Sequence, residues 1–576
     1  MKPNSFIVTV TKSENNYNES MSANGKALLQ LNDINPCYIR HEKSGLGSFA
    51  IFIGERKDSE TVDFESPING SSIIYSASEK KLTVRSDLTG AEPIFWRKNE
   101  STVLLSNRLD NLINSDDDPD WESIHCYLSF GYTLKENTFF KCIKQTLPNQ
   151  KVEIDTEFLT VNAEANSITL GTKNFETLPN NGKIFAKLFS GVMNTYNPMA
   201  LMISAGWDSR ALLAPKKTPI KIVYTHGDIS SRECSIAQKL SGALRIDHYF
   251  RDVKGMIINT QLLEEMLELH GHCLWPIWHL SSKFISENFH LPITSGVIGA
   301  RMGGHNGFLS IGTRLQKSIN SLHLINSRLV TKEKIIKDFK KSLSAPRAFW
   351  FTSDKGAQIF SQTCDTVTGN INTTLDHYLK ETDNFSFAIE SFNYDHVSRQ
   401  YMMKQPGMAK PFHGYYSPLS HPKLLHLIYT IPFSQRFQNR LTRQVVTELN
   451  SELLEFPMAA TLAKAKRPIF IQEISRVFRI LYEIAFLKLK KTRPTLGWFN
   501  YEHLYSGDFF ETTIKSLKSD IWSKERMLKK TASNKINNID AGSTMDMVCK
   551  IKTIDYYLLL VNKAAEGENG VHNESS

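Results

Sequence analysis

The chain has 576 residues, of which 41% are hydrophobic, and it carries a formal net charge of +9. This length allows two or three domains, and the composition is typical of globular cores rather than of disorder. The charge is modest for the length, so it does not by itself indicate a nucleic-acid partner. The seven cysteines form no C-x-x-C pair, which favours a reducing compartment and argues against a disulfide framework or a zinc site.

The chain start and the hydrophobic runs bear on where the protein resides. The first residues, Met-Lys-Pro-Asn-Ser-Phe, lack the long apolar core of a signal peptide. No stretch reaches the ~18 uncharged apolar residues that a membrane span needs. We therefore expect a cytoplasmic protein without an integral membrane segment.

The first third of the chain, residues 5–165, alternates short strand-like runs with turn residues. Residues 48–53, Lys81–Arg85 and Thr102–Ser106 are three such runs, and residues 87–90 form one of the turns. Many short strands at this spacing predict an antiparallel β-sandwich. The acidic run at residues 116–120 is interpreted as the solvated start of a helix.

The strongest chemical signal follows the apolar run of residues 200–203. Ser204, Ala205 and Gly206 are small, so the backbone can approach a ligand and direct N–H groups at it. Asp208 follows at the start of a predicted helix, where its carboxylate could hold a Mg²⁺ ion bound to phosphates. An ordinary strand-to-helix turn explains the same residues without a ligand.

Strands and helices alternate beyond a polar linker predicted at residues 172–181. Residues 220–225 are a β-branched strand, residues 231–244 have helical spacing, and residues 246–250 form the next strand. This alternation predicts a parallel sheet with ligands at the carboxyl ends of its strands.

In their order, these segments resemble the asparagine synthetase family. Residues 87–95 match the family's Asp-x-x-Gly-x-x-Pro-Leu-Tyr, and residues 127–148 match its Tyr…Gly-Tyr…Leu-x-Pro passage, with Asn149 replacing the usual next Gly. Residues 204–209 resemble the pyrophosphate loop Ser-Gly-Gly-x-Asp-Ser. Residues 225–237 resemble the segment that meets adenine, and residues 291–304 resemble the later Ser-Gly-x-Gly-x-Asp-Glu-x-x-Gly-Gly loop. The resemblance covers about residues 45–470.

The resemblance implies an α/β fold with three parts. An N-terminal-nucleophile-like antiparallel β-sandwich spans residues 1–170, a Rossmann-like ATP-pyrophosphatase domain spans residues 182–495, and a helical extension with a disordered tail spans residues 496–576. It implies ATP and Mg²⁺ as cofactors, with Asp208 as the metal ligand. The residues expected to bind ATP are Met202, Ile203, Ser204, Ala205, Gly206, Asp208, Ser209, Tyr224, Thr225, Gly227, Ser295 and Gly296. The residues expected to be catalytic are Asp208, Arg301, Lys464 and Lys466.

Departures from the family pattern change the expected chemistry. The family's glutaminase half uses a cysteine directly after the initiator Met, whereas position 2 is Lys2 and the first cysteine is Cys37, so we expect no glutamine hydrolysis. Ala205 replaces the first loop glycine, which is tolerable only where no positive φ is required. Ala300 and Arg301 stand where relatives carry acids, so Mg²⁺ would depend on Asp208, or Arg301 would itself face pyrophosphate.

The resemblance implies an ATP-dependent, AMP-forming amide ligase that adenylates a small-molecule or peptide carboxylate. Ammonia or a substrate amine then receives the acyl group. Two alternatives remain open. One is a catalytically degenerate binding subunit that joins a partner protein in a biosynthetic complex. The other is an intramolecular cyclase, as in β-lactam synthetases and lasso-peptide cyclases.

The last third is predicted to be mainly helical. Lys464 and Lys466 lie where the family has a charge-stabilising lysine, although a solvated surface lysine explains either one as well. Residues 464–493 combine nine basic residues with interleaved apolar ones, which predicts a basic amphipathic helix. Its apolar face is expected to pack on the domain, with an anionic membrane or an acidic peptide as the alternative. The motif His270-Gly271-His272 is interpreted as a helix cap rather than a metal pair.

Overall fold

Antiparallel sheets occupy the N-terminal part of the chain and a parallel sheet with many helices follows, so the fold is mixed α/β, as predicted. We describe it from a computed structural model. The described residues are 1–11, 27–36, 38–43, 47–55, 64, 69–165, 180–297, 299–305, 311–321, 329–344, 351–382, 384–490, 508–533 and 538–573. Cys37 and most of the predicted linker lie outside these ranges.

Two antiparallel sheets share one core near the N-terminus. Their strand orders are β2-β1-β8-β7-β9 and β11-β10-β6-β5-β4-β3. The strands are β1 Ser5–Thr11, β2 Ala27–Asn32, β3 Ile39–Lys43, β4 Phe49–Gly54, β5 Gly70–Ser76, β6 Lys81–Arg85, β7 Phe95–Lys98, β8 Thr102–Ser106, β9 Ile143–Gln145, β10 Gln150–Asp155 and β11 Val161–Ala165. Alternate residues such as Val8 and Val10 of β1 and Leu82 and Val84 of β6 are buried in the same apolar cluster, so the two sheets face each other.

The parallel sheet has the order β14-β13-β12-β15-β16. Its strands are β12 Met199–Met202, β13 Ile220–Gly227, β14 Asp247–Asp252, β15 Ile293–Ser295 and β16 Tyr415–Tyr416. All four residues of β12 are buried, as expected for the central strand of a sheet that is covered on both faces. The chain adds β13 and β14 on one side of β12 and then returns to β15 on the other side. This reversal is a topological switch point, where open α/β sheets place their ligands.

Helices surround the parallel sheet and form the last third of the chain. They are α1 Trp121–Phe130, α2 Asn181–Met193, α3 Trp207–Leu213, α4 Arg232–Leu244, α5 Thr260–His270, α6 Pro276–Phe289, α7 Arg314–Ser321, α8 Lys332–Leu343, α9 Asp354–Glu381, α10 Phe385–Asn393, α11 Lys404–Gly407, α12 Pro422–Thr430, α13 Phe433–Arg436, α14 Arg440–Asn450, α15 Ile469–Lys490, α16 Phe509–Lys515, α17 Lys524–Ser533 and α18 Asn538–Asn573. A π-helical segment, Tyr394–Met402, follows α10. Among the described helices, none combines the length and apolar character of a membrane span.

The ends of two helices test the interpretations of the acidic run at residues 116–120 and of the histidine motif at residues 270–272. The Asp120 side chain accepts a hydrogen bond from the Ser123 N–H, so the acidic run does start a helix, as predicted. Gly271 caps α5 in the left-handed region, with φ of 69°, which confirms the cap interpretation of the histidine motif. The last helix, α18, is described through Asn573, within the segment for which the composition predicts a disordered tail.

The apolar face of α15 is exposed, so the expectation that it packs on the domain is wrong for the described residues. Phe470 is 72% exposed, Phe478 68% and Leu481 57%. The helix is held instead through polar contacts at its inner edge, such as the ion pair between Arg232 and Glu483 at 2.7 Å. Helical periodicity specifies that one face is apolar but not that another element covers it.

Replacing Phe478 by serine is expected to change the free energy of unfolding by no more than about 0.5 kcal/mol, because its side chain is already largely in water. Phe189→Ala, at a fully buried position, is expected to cost about 3–5 kcal/mol. Urea unfolding followed by circular dichroism measures both values. A cost above about 2 kcal/mol for Phe478→Ser would show that this face is covered in solution.

Candidate functional site

The loop after β12 is held by its own side chains. The Ser209 hydroxyl accepts a hydrogen bond from the Ser204 N–H at 3.1 Å, and the two hydroxyls lie 3.0 Å apart. The Ser204 hydroxyl also accepts from the Gly206 N–H at 3.2 Å. Ala205 is not among the residues with a positive φ, so alanine replaces the first glycine of the family's loop without backbone strain.

Residues from the neighbouring strands meet this loop at the carboxyl edge of the parallel sheet. The Tyr224 carbonyl accepts from the Ile203 N–H at 2.9 Å, and the Thr225 hydroxyl donates to the Ile203 carbonyl at 3.4 Å. On the other side of β12, Ser295 pairs with Met202 in the sheet register. The predicted ATP-binding residues on these three strands and just beyond them are Met202, Ile203, Tyr224, Thr225, Gly227, Ser295 and Gly296. Three separate segments of the predicted site therefore meet at the switch point.

The Asp208 side chain is enclosed between this loop and the loop that follows β15. A Cβ atom at Gly296 would lie 2.5 Å from the Asp208 Cβ, and one at Gly299 would lie 2.5 Å from the Asp208 Cγ. The Asp208 Oδ1 atom is buried and has no hydrogen-bond partner among the described residues. Burial alone raises the pKa of Asp208 to about 7. A carboxylate without a partner in such a place is costly unless a proton or a cation neutralises it.

Gly299→Ala is expected to displace the Asp208 carboxylate, because the added methyl group overlaps it. We expect ATP affinity in the presence of Mg²⁺, measured by titration calorimetry, to fall at least about 10-fold. Gly191→Ala is the matched control, since nothing lies within 4 Å of that position in α2. The control is expected to bind ATP as the wild type does and to unfold at a slightly higher temperature. Unchanged affinity in Gly299→Ala would show that the Asp208 carboxylate does not contribute to ATP binding.

A glutamate occupies one of the loop amides. The Glu233 Oε2 atom accepts a hydrogen bond from the Ala205 N–H at 2.5 Å. Burial raises the pKa of Glu233, whereas the Ala205 N–H opposes that shift. A phosphate oxygen that binds this amide must therefore displace Glu233. The sequence pattern places Glu233 only on the buried side of α4, so this contact is visible only in three dimensions.

Arg210 ties the loop to the segment that precedes the candidate lysines. One of its terminal nitrogens donates to the Leu453 and Phe456 carbonyls at 2.7 and 3.0 Å, and the other donates to the Pro457 carbonyl. Burial lowers the pKa of Arg210 to about 10. Because the buried guanidinium of Arg210 binds these carbonyls, the position of residues 453–457 depends on α3.

The two candidate lysines lie on the surface. The Lys464 and Lys466 ammonium groups bind the Glu455 carboxylate at 3.1 and 2.7 Å, and about half of each side chain is exposed. Within the described part of the chain, no hydrogen bond or ion pair joins either lysine to the Asp208 or Arg301 side chain. The ammonium groups of both lysines are therefore bound to Glu455 and not to Asp208 or Arg301.

Arg301 is fully buried and faces an aromatic ring. Its guanidinium carbon lies 3.5 Å from the centroid of the Tyr394 ring, and none of its three side-chain nitrogens has a hydrogen-bond partner among the described residues. Its carbonyl accepts from Arg436 at 2.9 Å. Arg436 in turn forms a buried bidentate ion pair with Glu390 at 2.7 and 2.8 Å. The sequence pattern gave no signal for Glu390, because the partner of a buried cation is set by packing between distant segments.

No protein-family model matches the chain, and no curated protein matches it. Within the described residues, no group of three or more histidines, cysteines and acids is placed to hold a metal ion. At the switch point, Asp208 has a buried carboxylate oxygen that lacks a hydrogen-bond partner within the described residues.

Proposed function

We propose that this chain is an ATP-dependent, AMP-forming amide ligase of the asparagine-synthetase type that does not hydrolyse glutamine. The observation that carries the proposal is the enclosed Asp208 carboxylate, whose Oδ1 has no partner, at the switch point of a parallel sheet. In this proposal the parallel sheet belongs to a Rossmann-like ATP-pyrophosphatase domain. The N-terminal sheets are a nucleophile-free relative of glutaminase domains, and the Lys2 ammonium binds Glu268 at 2.8 Å where such enzymes need a thiol.

The donor set fits Mg²⁺ bound together with ATP. Mg²⁺ accepts one protein carboxylate when phosphate oxygens and water complete its coordination, and Asp208 offers one free oxygen. When bound, the ion would neutralise charge on the leaving pyrophosphate. Arg301 is a buried cation whose nitrogens have no partner, which supports an anionic ligand group in this region.

The proposed reaction has two balanced steps. A substrate carboxylate oxygen attacks the α-phosphorus of ATP, the bond to the bridging oxygen breaks, and pyrophosphate leaves. An amine nitrogen then attacks the acyl carbon, the carbon–oxygen bond to AMP breaks, and the nitrogen releases a proton. The N–H groups of residues 205–209 would hold the phosphates, and exchange of Glu233 for a phosphate oxygen at the Ala205 N–H would accompany binding.

A catalytically silent nucleotide-binding subunit is the second candidate. It is favoured by the Glu233 carboxylate on the loop amide, by the burial of Arg301 on Tyr394 and by the surface ion pairs of Lys464 and Lys466. In that case the protein would bind ATP and a partner protein without forming a bond.

Exchange of labelled pyrophosphate into ATP tests both candidates. With Mg²⁺ and a panel of small and peptide carboxylates, the ligase is expected to show exchange that depends on one class of acid. Protection from thermal unfolding by a non-hydrolysable ATP analogue, without exchange, would support the silent subunit. If neither exchange nor protection is observed, both candidates are wrong. Asp247→Asn, an exposed acid on β14 of the same sheet, is the control for charge removal.

A further inference from the structure

A cavity lies between the N-terminal sheets and the C-terminal helices, and it is lined by residues other than those at the switch point. Its volume is about 170 Å³. Its walls come from the turn at residues 90–93, from α1, from the end of α5, from the segment around α11 and from α18. None of the residues that line it belongs to the loops around Asp208. It is therefore a separate compartment of the fold.

Four cationic side chains and one acid line this cavity. They are Arg108, Arg399, Lys404, Lys410 and Glu92.

Three of these cations have nearby acids. The Arg108 guanidinium binds Asp110 at 2.5 Å, and the Lys410 ammonium binds Glu92 at 2.7 Å. Arg399 donates to two carbonyls, and the negative charge of Asp395 acts on it. The cation that remains without a counter-charge in this cavity is Lys404.

Lys404 has no hydrogen bond or ion pair within the described residues. Its ammonium nitrogen lies 5.6 Å from the centroid of the Tyr127 ring, and the side chain lines the cavity. Beside it, the His272 Nδ1 atom is buried and also has no hydrogen-bond partner. Burial lowers the pKa of Lys404 to about 7, and the charges of Lys410 and Arg399 add to this shift. An ammonium group in this position is costly until an anion joins it.

The size and walls of the cavity limit that anion. A cavity of about 150 Å³ holds a benzene molecule, so this one has room for a ligand of about six to nine non-hydrogen atoms. The rings of Tyr127, Phe139 and Tyr557, which contact one another in that order, form an aromatic wall of the cavity. Because, among the described residues, the Lys404 ammonium is the one cation in this cavity without a nearby acid, the expected ligand carries a single negative charge.

We propose that this cavity binds a small organic monocarboxylate, with its carboxylate on Lys404 and its apolar body against the aromatic wall. This goes beyond the proposed ligase activity, because the site shares no residue with the loops around Asp208. It does not depend on ATP or Mg²⁺.

Benzoate is the probe, and benzamide is its uncharged counterpart of the same shape. At about 10 mM and without nucleotide, benzoate is expected to raise the Tm of the wild type by about 2 °C or more, whereas benzamide is expected to have no effect. In Lys404→Met, titration calorimetry is expected to show at least about 10-fold weaker benzoate binding. Lys239→Met, at an exposed lysine of α4, is expected to bind benzoate as the wild type does.

The variants also show whether Lys404 binds the ligand or only contributes to the stability of the fold. Removing an unpaired charge is expected to leave the ligand-free Tm of Lys404→Met unchanged or raised, and Lys404→Gln keeps a polar side chain in the same place. Equal benzoate binding in wild type and Lys404→Met, or equal effects of benzoate and benzamide, would overturn the proposal. Asp208→Asn is expected to retain benzoate binding, so failure of the ligase proposal leaves this test intact.

Binding is expected to weaken as the pH rises through about 7, because the Lys404 ammonium then loses its proton. The charged and titratable groups that face or influence Lys404 are Tyr127, His272, Cys273, Arg399 and Lys410. Measuring the benzoate affinity of Lys404→Met over the same pH range isolates the contribution of Lys404. A wild-type profile as flat as that of the variant would contradict the proposed role of this ammonium group.

Discussion

Replacing Asp208 by asparagine is expected to reduce carboxylate-dependent pyrophosphate exchange by at least about 100-fold while leaving the fold intact or more stable. Asparagine keeps the size of the side chain between Gly296 and Gly299 but lacks the charge that Mg²⁺ needs. A residue that serves only the fold gives the opposite result, with a loss of stability and little change in chemistry.

The pH dependence of stability provides the second readout. The folded pKa of Asp208 is about 7, above the ~3.9 of an unfolded aspartate, so the folded state holds this proton more tightly. The stabilisation from Asp208 is therefore complete below about pH 4 and is lost as the pH rises through about 7. Asp208→Asn is expected to match the wild type near pH 4 and to exceed it by roughly 1–3 kcal/mol at about pH 8 without Mg²⁺. Urea unfolding at both pH values measures this difference, and equal stability at pH 8 would contradict the burial of an unpaired carboxylate.

Glu390→Gln is expected to lower the free energy of unfolding by about 3–5 kcal/mol, the largest effect on stability that we expect from one polar substitution. It leaves the fully buried Arg436 guanidinium without its carboxylate. The same guanidinium binds the Arg301 carbonyl, so the loop that contains Arg301 is expected to loosen as well.

A double variant identifies the origin of that loss. Glu390→Leu combined with Arg436→Met removes both charges and is expected to cost less than either single substitution, because no unpaired ion remains. Asp520→Asn breaks an exposed ion pair with Lys355 and is expected to change stability by less than about 1 kcal/mol. Additive losses in the double variant would show that Glu390 and Arg436 contribute independently, and would contradict an unpaired buried charge as the cause.

Much of the fold could be predicted, because local sequence patterns indicate where its strands and helices lie. Strand alternation placed β6 and β8 at their observed bounds, and the alternation of strands and helices predicted the parallel sheet around β12. Asn149, which replaces a glycine of the family pattern, adopts a φ of 51°, and asparagine tolerates this left-handed region better than most residues do. The exposure of α15 could not be predicted, because periodicity describes one helix and not its neighbours.

Only the residues that form the loop after β12 and its immediate neighbours could be predicted from the sequence as parts of the candidate site. Asp208 and the small residues around it follow from the chemistry of a phosphate loop, and the structure brings them together with β13 and β15. The occupation of the Ala205 amide by Glu233 and the orientation of Arg301 onto Tyr394 depend on side-chain packing between distant segments. The surface ion pairs of Lys464 and Lys466 with Glu455 likewise depend on long-range packing, since residues 453–457 are held against α3.

The cavity lined by Arg108, Arg399, Lys404 and Lys410 is completed late in the synthesis of the chain, because its walls come from residues that are far apart in sequence. Arg108 is synthesised well before Thr553 and Tyr557 of α18, which also line the cavity. At roughly 5–20 residues per second, the ~450 residues between Arg108 and Tyr557 take about 20–90 s to synthesise. Throughout that interval the N-terminal sheets can already be folded while this compartment is still open to water. A nascent chain stalled before α18 would therefore lack Thr553 and Tyr557 and could not yet retain a ligand there.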